Sequence, residues 1–259
     1  MVTSIFPSII FGPIKSRRLG ISLGVNLLPT DGKLCSFDCI YCECGRNRER
    51  RTKAPLPTFG EVEQALSAKL RQMKDDKEHL DVITFAGNGE PTLHPQFAGI
   101  IDLTVKLRNS YFPDAKISVL SNATMLHKPE VIQALMKVDN NIQKLDGADD
   151  ETVRLLDCPT SPDFSVARVA EQLKIFEGRV IIQTIFLEGE IEGAPFTNAD
   201  DNRVAAWLEL IKAIAPRQVM IYTIDRPTPV DGLKKVPLDR LHAIAGKVKA
   251  AGVDVSVAG

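Results

Sequence analysis

Aromatic residues are scarce in this sequence, at 6% of 259 residues, with a single tryptophan, three tyrosines and only four histidines. So few rings provide little for the stacked-base platforms of single-strand nucleic-acid binders. His79, His94, His127 and His242 form no ligand pair at helical spacing, so each is read as structural or exposed. Long hydrophobic runs are missing too, since nothing approaches the roughly 18 consecutive apolar residues of a membrane span. The stretch from Val2 to Phe11 is apolar but broken by Pro7, and it lacks the basic lead and small-residue cleavage pattern of an export signal. Neither sign of charge dominates: 32 basic and 33 acidic residues leave a formal charge of -1, which excludes a globally basic nucleic-acid coat. The expectation is a cytoplasmic chain without a membrane segment, a single domain over residues 1–259 that needs no disulfides to fold.

Cysteine is present in an uneven pattern. Four of the five cysteines fall between Cys35 and Cys44, with Cys158 alone elsewhere. A disulfide framework spreads its thiols, whereas crowding them into one loop suits a metal or cluster site in a reducing compartment.

From about residue 58 onward, apolar runs of strand length alternate with amphipathic helical stretches, the pattern of repeated strand-helix units around a parallel sheet. Strands are predicted over 21–28, 81–86, 116–120, 141–145, 179–187, 218–223 and 253–257. Thr58 followed by Glu61 predicts a capping box, and Val62, Leu66, Leu70 and Met73 then recur at helical spacing. Further helical stripes run through 97–107, 131–136, 166–176, 204–214 and 238–248. Six such repeats with a terminal strand make an α/β fold, and periodicity alone leaves an open sheet, a complete barrel and a partial barrel all open. Each of these places its chemistry at strand C-terminal ends. Two segments read as irregular loops, Pro29 to Pro57 and Glu188 to Asp200, and the first holds the cysteines.

Cys35, Cys39 and Cys42 are spaced C-x3-C-x2-C. Zinc normally uses two separated C-x2-C halves and wants a fourth protein ligand, whereas a [4Fe-4S] cluster can leave one iron open for a small molecule. Cys44 is an alternative fourth ligand, although its C-x-C step strains a loop closed round one metal. With Tyr41 before the third cysteine, the loop resembles that of the radical S-adenosylmethionine (SAM) superfamily, C-x3-C-x-aromatic-C. Downstream, Gly87-Asn88-Gly89-Glu90-Pro91-Thr92 follows a predicted strand and resembles the superfamily's glycine-glutamate-proline segment. Glycines there let backbone approach a ligand, and a carboxylate can pair with an ammonium group.

The resemblance implies a partial (β/α)6 TIM-like barrel in which Cys35, Cys39 and Cys42 hold a [4Fe-4S] cluster and SAM chelates the open iron. It implies SAM contacts at Tyr41, beside the adenine, and at Gly89, Glu90, Pro91, Ser121, Asn122, Lys144, Asp146 and Gln183. Lys144 equally fits a salt bridge. The implied reaction is reductive cleavage of SAM to a 5'-deoxyadenosyl radical that takes a hydrogen atom from substrate, fed by an electron donor such as flavodoxin or ferredoxin. Arg226 and Cys158 are candidates on the substrate side, against a local ion pair for the first and a small buried hydrophobe for the second; one cluster is expected.

The stretch from Phe11 to Asn26 resembles the opening of an iron-sulfur oxidoreductase group related to wyosine-type tRNA-modifying enzymes. Arg46, Arg48, Arg50, Arg51 and Lys53, with Lys15, Arg17 and Arg18, form a local basic group that suits RNA phosphates or a solvated loop equally. A peptide-modifying or glycyl-radical-enzyme activase is the alternative within the enzyme class. A noncatalytic zinc or iron-sulfur RNA-binding protein is the alternative outside it.

Overall fold

A computed structural model describes residues 5–16, 19–191 and 193–259. Arg17 and Arg18 of the basic group, and Glu192 of the second loop, lie outside the described residues. The chain opens with an antiparallel hairpin of β1 (Ile10–Ser16) and β2 (Gly20–Val25). Six helical crossovers then lead from β2 through β3 (Val82–Phe85), β4 (Lys116–Ser121), β5 (Asn140–Lys144), β6 (Ile181–Ile185) and β9 (Gln218–Tyr222) to β11 (Asp254–Ala258). These strands pair in parallel, giving one sheet of eight in the order β1-β2-β3-β4-β5-β6-β9-β11.

The helices on the outer face are α1 (Phe59–Asp75), α2 (Phe97–Tyr111), α3 (Pro129–Leu135), α4 (Asp150–Asp157), α5 (Val166–Lys174), α6 (Asp201–Ile214) and α7 (Leu238–Ala250). α1 starts at the expected capping box: Thr58 accepts from the Glu61 backbone while the Glu61 carboxylate accepts from the Thr58 N–H. Its Val62, Leu66, Leu70 and Met73 are fully buried.

The strand alternation of period two separates two apolar faces. Leu23, Val25, Ile83, Phe85, Ile117, Val119, Ile182, Val219 and Ile221 face the helices and form the main core with the helical stripes. Ile142, Ile181 and Met220, packed by Leu19 and Leu120, form a separate small cluster on the other face. Residues of β1 and β9, far apart in strand order, line a single cavity with residues of every strand between them, so the sheet is curled. The architecture is the expected partial (β/α)6 barrel with a terminal strand.

Two sequence expectations need correction. The segment 188–200 is not an irregular loop: β7 (Leu187–Ile191) and β8 (Ala194–Thr197) form an antiparallel pair there, and β10 (Leu233–Lys235) joins β7 to complete a second, three-stranded sheet. The hairpin strand β1 was not expected either, because Gly12 and Pro13 interrupt its pattern where a bulge falls between Phe11 and Ile14. Among the described residues no helix is long and apolar enough to cross a membrane.

Candidate functional site

The C-terminal ends of the parallel strands deliver the chemistry to one rim. After β2 the chain enters the cysteine loop, whose root is laced by two buried asparagines. Asn26 donates to the Leu28 carbonyl and its own carbonyl accepts from Asn88 N–H. Asn88 in turn donates to the Pro29 carbonyl and the Phe6 carbonyl. Leu34 N–H donates to the Asn88 carbonyl and Glu90 N–H to the Leu34 carbonyl, so the loop pairs with the segment that follows β3.

This pairing gives the glycines a task other than the one their spacing suggested. Gly89 sits at φ +133°, and a Cβ there would collide with the Leu34 carbonyl. Its close backbone approach is to the cysteine loop, whatever ligand arrives later. Glu90 is buried as well; its Oε1 accepts from Thr92 and its Oε2 from Asn122 N–H at 2.6 Å, and burial raises its carboxyl above the ordinary range despite those bonds. Both carboxylate oxygens therefore brace the rim between β3 and β4. Pro91 opens a short 3-10 turn held by this brace.

Cys35, Cys39 and Cys42 line one cavity of about 280 Å3 together with Tyr41, Gly89, Glu90, Ser121, Asn122, Lys144 and Gln183. Most of the sequence-derived cofactor contacts are thus brought to one place. Asn122 donates to Ser36 Oγ at 2.9 Å and lies 3.7 Å from Cys35 Sγ. The Ser121 hydroxyl accepts from Ala123 N–H. Gln183 is buried, and among the described residues no side chain takes up its amide.

Tyr41 anchors a buried polar cluster that the sequence did not disclose. Its hydroxyl meets the Asp146 carboxylate and lies 2.6 Å from Asp157 Oδ1, while Lys144 Nζ donates to it at 2.6 Å and to Asp146 at 3.0 Å. Burial, then the neighbouring Asp146 carboxylate, pushes Asp157 up to about 8. Cys39 donates to Asp157 at 3.3 Å, which ties the cluster to the cysteine loop. Lys144 and Asp146 take each other as partners, as the salt-bridge reading of Lys144 expected.

The thiols differ in readiness. Burial, with Glu90 next, raises Cys35 to about 12, and burial also raises Cys39. Cys42 is lowered to about 5, chiefly by a hydrogen bond from Cys44 that outweighs burial, with the Lys33 ammonium adding to it. Lys33 lines the same cavity with its side chain 1% exposed, and donates to the Gly45 carbonyl at 2.8 Å. Sequence reasoning passed over this lysine; the available signal was a single cation, two residues before Cys35, in a segment otherwise bound for burial.

The other candidates fall outside this group. Cys44 lines a neighbouring cavity instead, with its sulfur 3.4 Å from the Gly87 carbonyl. Cys158 caps α4 in a left-handed conformation, half-buried, with the Arg46 guanidinium 3.9 Å from its sulfur. Arg226 is 60% exposed and pairs with Glu43 at 2.5 Å, not with adjacent Asp225, which pairs with Lys235. Within the basic loop Arg46 pairs with Asp38 at 3.2 Å, while Arg48, Arg51 and Lys53 are exposed.

The residues suit a multi-iron group. Three thiols lining one cavity are a donor set that suits a cluster in which each sulfur holds a different iron. Beside them, Phe37, Ile40 and Tyr41 of the loop form an apolar cluster with Ile185, Leu187 and Ile191, with Leu233 against it.

Comparison with known proteins follows the same lines. A UPF0026 protein of Helicobacter pylori is 31% identical over 227 residues, covering 86% of this chain and 68% of that protein. A protein named GTPase Obg from Brachyspira hyodysenteriae is 30% identical over 85% of this chain, a match that takes in only 30% of its own length. Among solved structures, a radical SAM methyltransferase from Sphaerobacter thermophilus superposes with TM-score 0.68 at 16% identity, over 92% of this chain and 65% of that one. Streptococcus suis SuiB bound to S-adenosylmethionine gives 0.63 at 17% identity, over 90% and 50%. TYW1 with a lysine-pyruvate adduct gives 0.60 at 16% identity, over 88% and 73%. The family model described as "Radical SAM superfamily" matches residues 31–194, a span running from the cysteine loop through β6 to the second sheet, and the chain belongs to that superfamily.

Proposed function

We propose that Cys35, Cys39 and Cys42 hold one [4Fe-4S] cluster, which supplies the electron for reductive cleavage of SAM to a 5'-deoxyadenosyl radical that takes a hydrogen atom from substrate. The observation that carries this reading is the gathering of the three thiols, Lys33 and the polar rim residues around one cavity. Asn122 and Gln183 offer neutral amides at its wall, and Tyr41, held from behind by Asp146, Asp157 and Lys144, presents a fixed ring face. An electron donor such as flavodoxin or ferredoxin completes the reaction.

The substrate group that gives up hydrogen is mostly apolar. Below the cofactor cavity lies a second one of about 310 Å3, sharing Cys42, Glu43, Ala86, Gly87, Leu120 and Gln183 with it. That volume is at the small end of the range for small-molecule sites, about 300–1,000 Å3. Its wall is Phe11, Ile14, Leu19, Leu120, Ile142 and Met220, with Ser22 and Thr84 bonded to each other and the Gln183 amide left to a ligand. A second reading, that this group belongs to an RNA such as tRNA, is favoured by exposed Arg48, Arg51 and Lys53 on the cysteine loop.

Anaerobic reconstitution followed by SAM and dithionite tests the first reading: 5'-deoxyadenosine forms with the native chain and not with Cys39→Ala. A fully thiolate-capped centre indifferent to SAM, or zinc in a colourless protein as isolated, overturns it. For the RNA reading, tRNA affinity falls steeply with salt, and a flat response removes it.

A further inference from the structure

Lys33 is the most deeply buried lysine beside the cysteines, and its surroundings do not account for it. Its side chain is 1% exposed and its ammonium donates to one carbonyl, that of Gly45, at 2.8 Å. Asp38 lies 3.6 Å away, yet Arg46 holds that carboxylate more closely at 3.2 Å and Asn47 N–H donates to it at 2.6 Å. An ammonium has three donors, and taking it out of water is costly without matching negative charge. The other groups around it are sulfurs, since Cys35, Cys39 and Cys42 line the same cavity as Lys33.

Among the described residues, the titratable groups around it are Asp38, the three cysteines of the same cavity and, beyond Asp38, Arg46. Lys33 is fixed from both sides of the loop, since its own N–H donates to the Arg50 carbonyl at 2.7 Å while Leu34 is paired to Gly89.

We infer that Lys33 is a positioning residue for the cluster, whose ammonium gathers the three thiolates and favours the reduced state of the site they form. This rests on the cluster reading above. Three thiolates around iron and sulfide leave a net negative charge that grows on reduction, and net charge together with hydrogen bonds to sulfur sets the potential of such centres. A fixed cation at the sulfurs therefore makes the added electron easier to accept.

The test is Lys33→Gln, which keeps an N–H donor for Gly45 and loses the charge, beside Lys33→Arg, which keeps the charge. Each protein is reconstituted anaerobically with iron and sulfide, iron per chain is counted, and the centre is titrated by potentiometry with EPR detection. Lys33→Gln should fold, as judged by circular dichroism, and at a given poise its ratio of reduced to oxidised centre should fall at least tenfold, a shift of 59 mV for one electron; Lys33→Arg should stay near the native ratio. A folded Lys33→Gln that loads iron with an unchanged potential overturns the inference and leaves the cluster reading intact. A folded Lys33→Gln that fails to load while Lys33→Arg loads supports it through assembly, and misfolding of Lys33→Gln with an Lys33→Arg potential displaced as far as tenfold overturns it. A native chain that takes up no iron sinks the cluster reading itself.

Discussion

Gly89 has no room for a side chain, and its neighbour is the backbone that carries Cys35. Gly89→Ala must either push the cysteine loop outward or strain its own backbone, at about 1–3 kcal/mol for the strain alone. The expected outcome is a lower denaturation midpoint and less than native iron on reconstitution, measured side by side. Cys44→Ala should behave in the opposite way and retain iron, because Cys44 faces the neighbouring cavity; loss of iron would make it a ligand. At this scale the three cysteines and Gly89 to Pro91 were legible because each motif lies in consecutive residues. Asn26 and Asp157 were not, since what gives them meaning comes from distant segments: Asn26 meets Asn88, and Asp157 meets Tyr41 and Cys39 across more than 100 positions.

The second sheet is the element that backs the cysteine loop. Leu187 and Ile191 of β7 share an apolar cluster with Ile40 and Tyr41 of that loop, so an Ile191→Asp chain should fold with this packing loosened. Its reconstituted centre should bleach severalfold faster in air than the native one, followed by visible absorbance; equal rates would mean that the sheet does not shield. Helix ends give a second element-scale expectation. Asp200 caps α6, accepting from Arg203 N–H at 2.9 Å and pairing with its guanidinium at 2.8 Å. Burial pushes this carboxyl up, but the bonds from Arg203 win and lower it. A carboxyl lowered in the folded state stabilises above its unfolded value, near 3.8, and that contribution is lost as pH falls through its folded value. Asp200→Ala should therefore cost about 1 kcal/mol at pH 7 and progressively less below pH 3.8, by urea titration. The long helices were legible from caps and stripes, whereas α4 is too short for a stripe to repeat. The β7 and β8 strands hid behind Gly189, Gly193 and Pro195, residues that usually mark loops.

For the molecule as a whole, repeat count and order were readable from the alternation of patterns, while curl was not, because strand periodicity is the same in an open sheet and a barrel. The deciding piece is β1, an edge strand that brings Phe11 and Ile14 round to face Met220. Ligand linkage is the whole-molecule prediction: SAM at a hundredfold excess over its dissociation constant should stabilise the reconstituted protein by about 2.7 kcal/mol. The single tryptophan, Trp207, is buried and donates to Thr184 at 3.2 Å, so its emission reports global unfolding and reads the shift directly. No change in midpoint would mean that SAM does not dock.

The inner wall draws Gly24, Thr84, Leu120, Ile142, Gln183 and Met220 from successive strands, while alternate positions on those strands serve the outer layer. Exchanging an inner residue alters what the chamber admits and leaves the scaffold's mortar almost untouched. Selectivity in such a molecule is able to drift one strand at a time, with the radical-generating rim held constant.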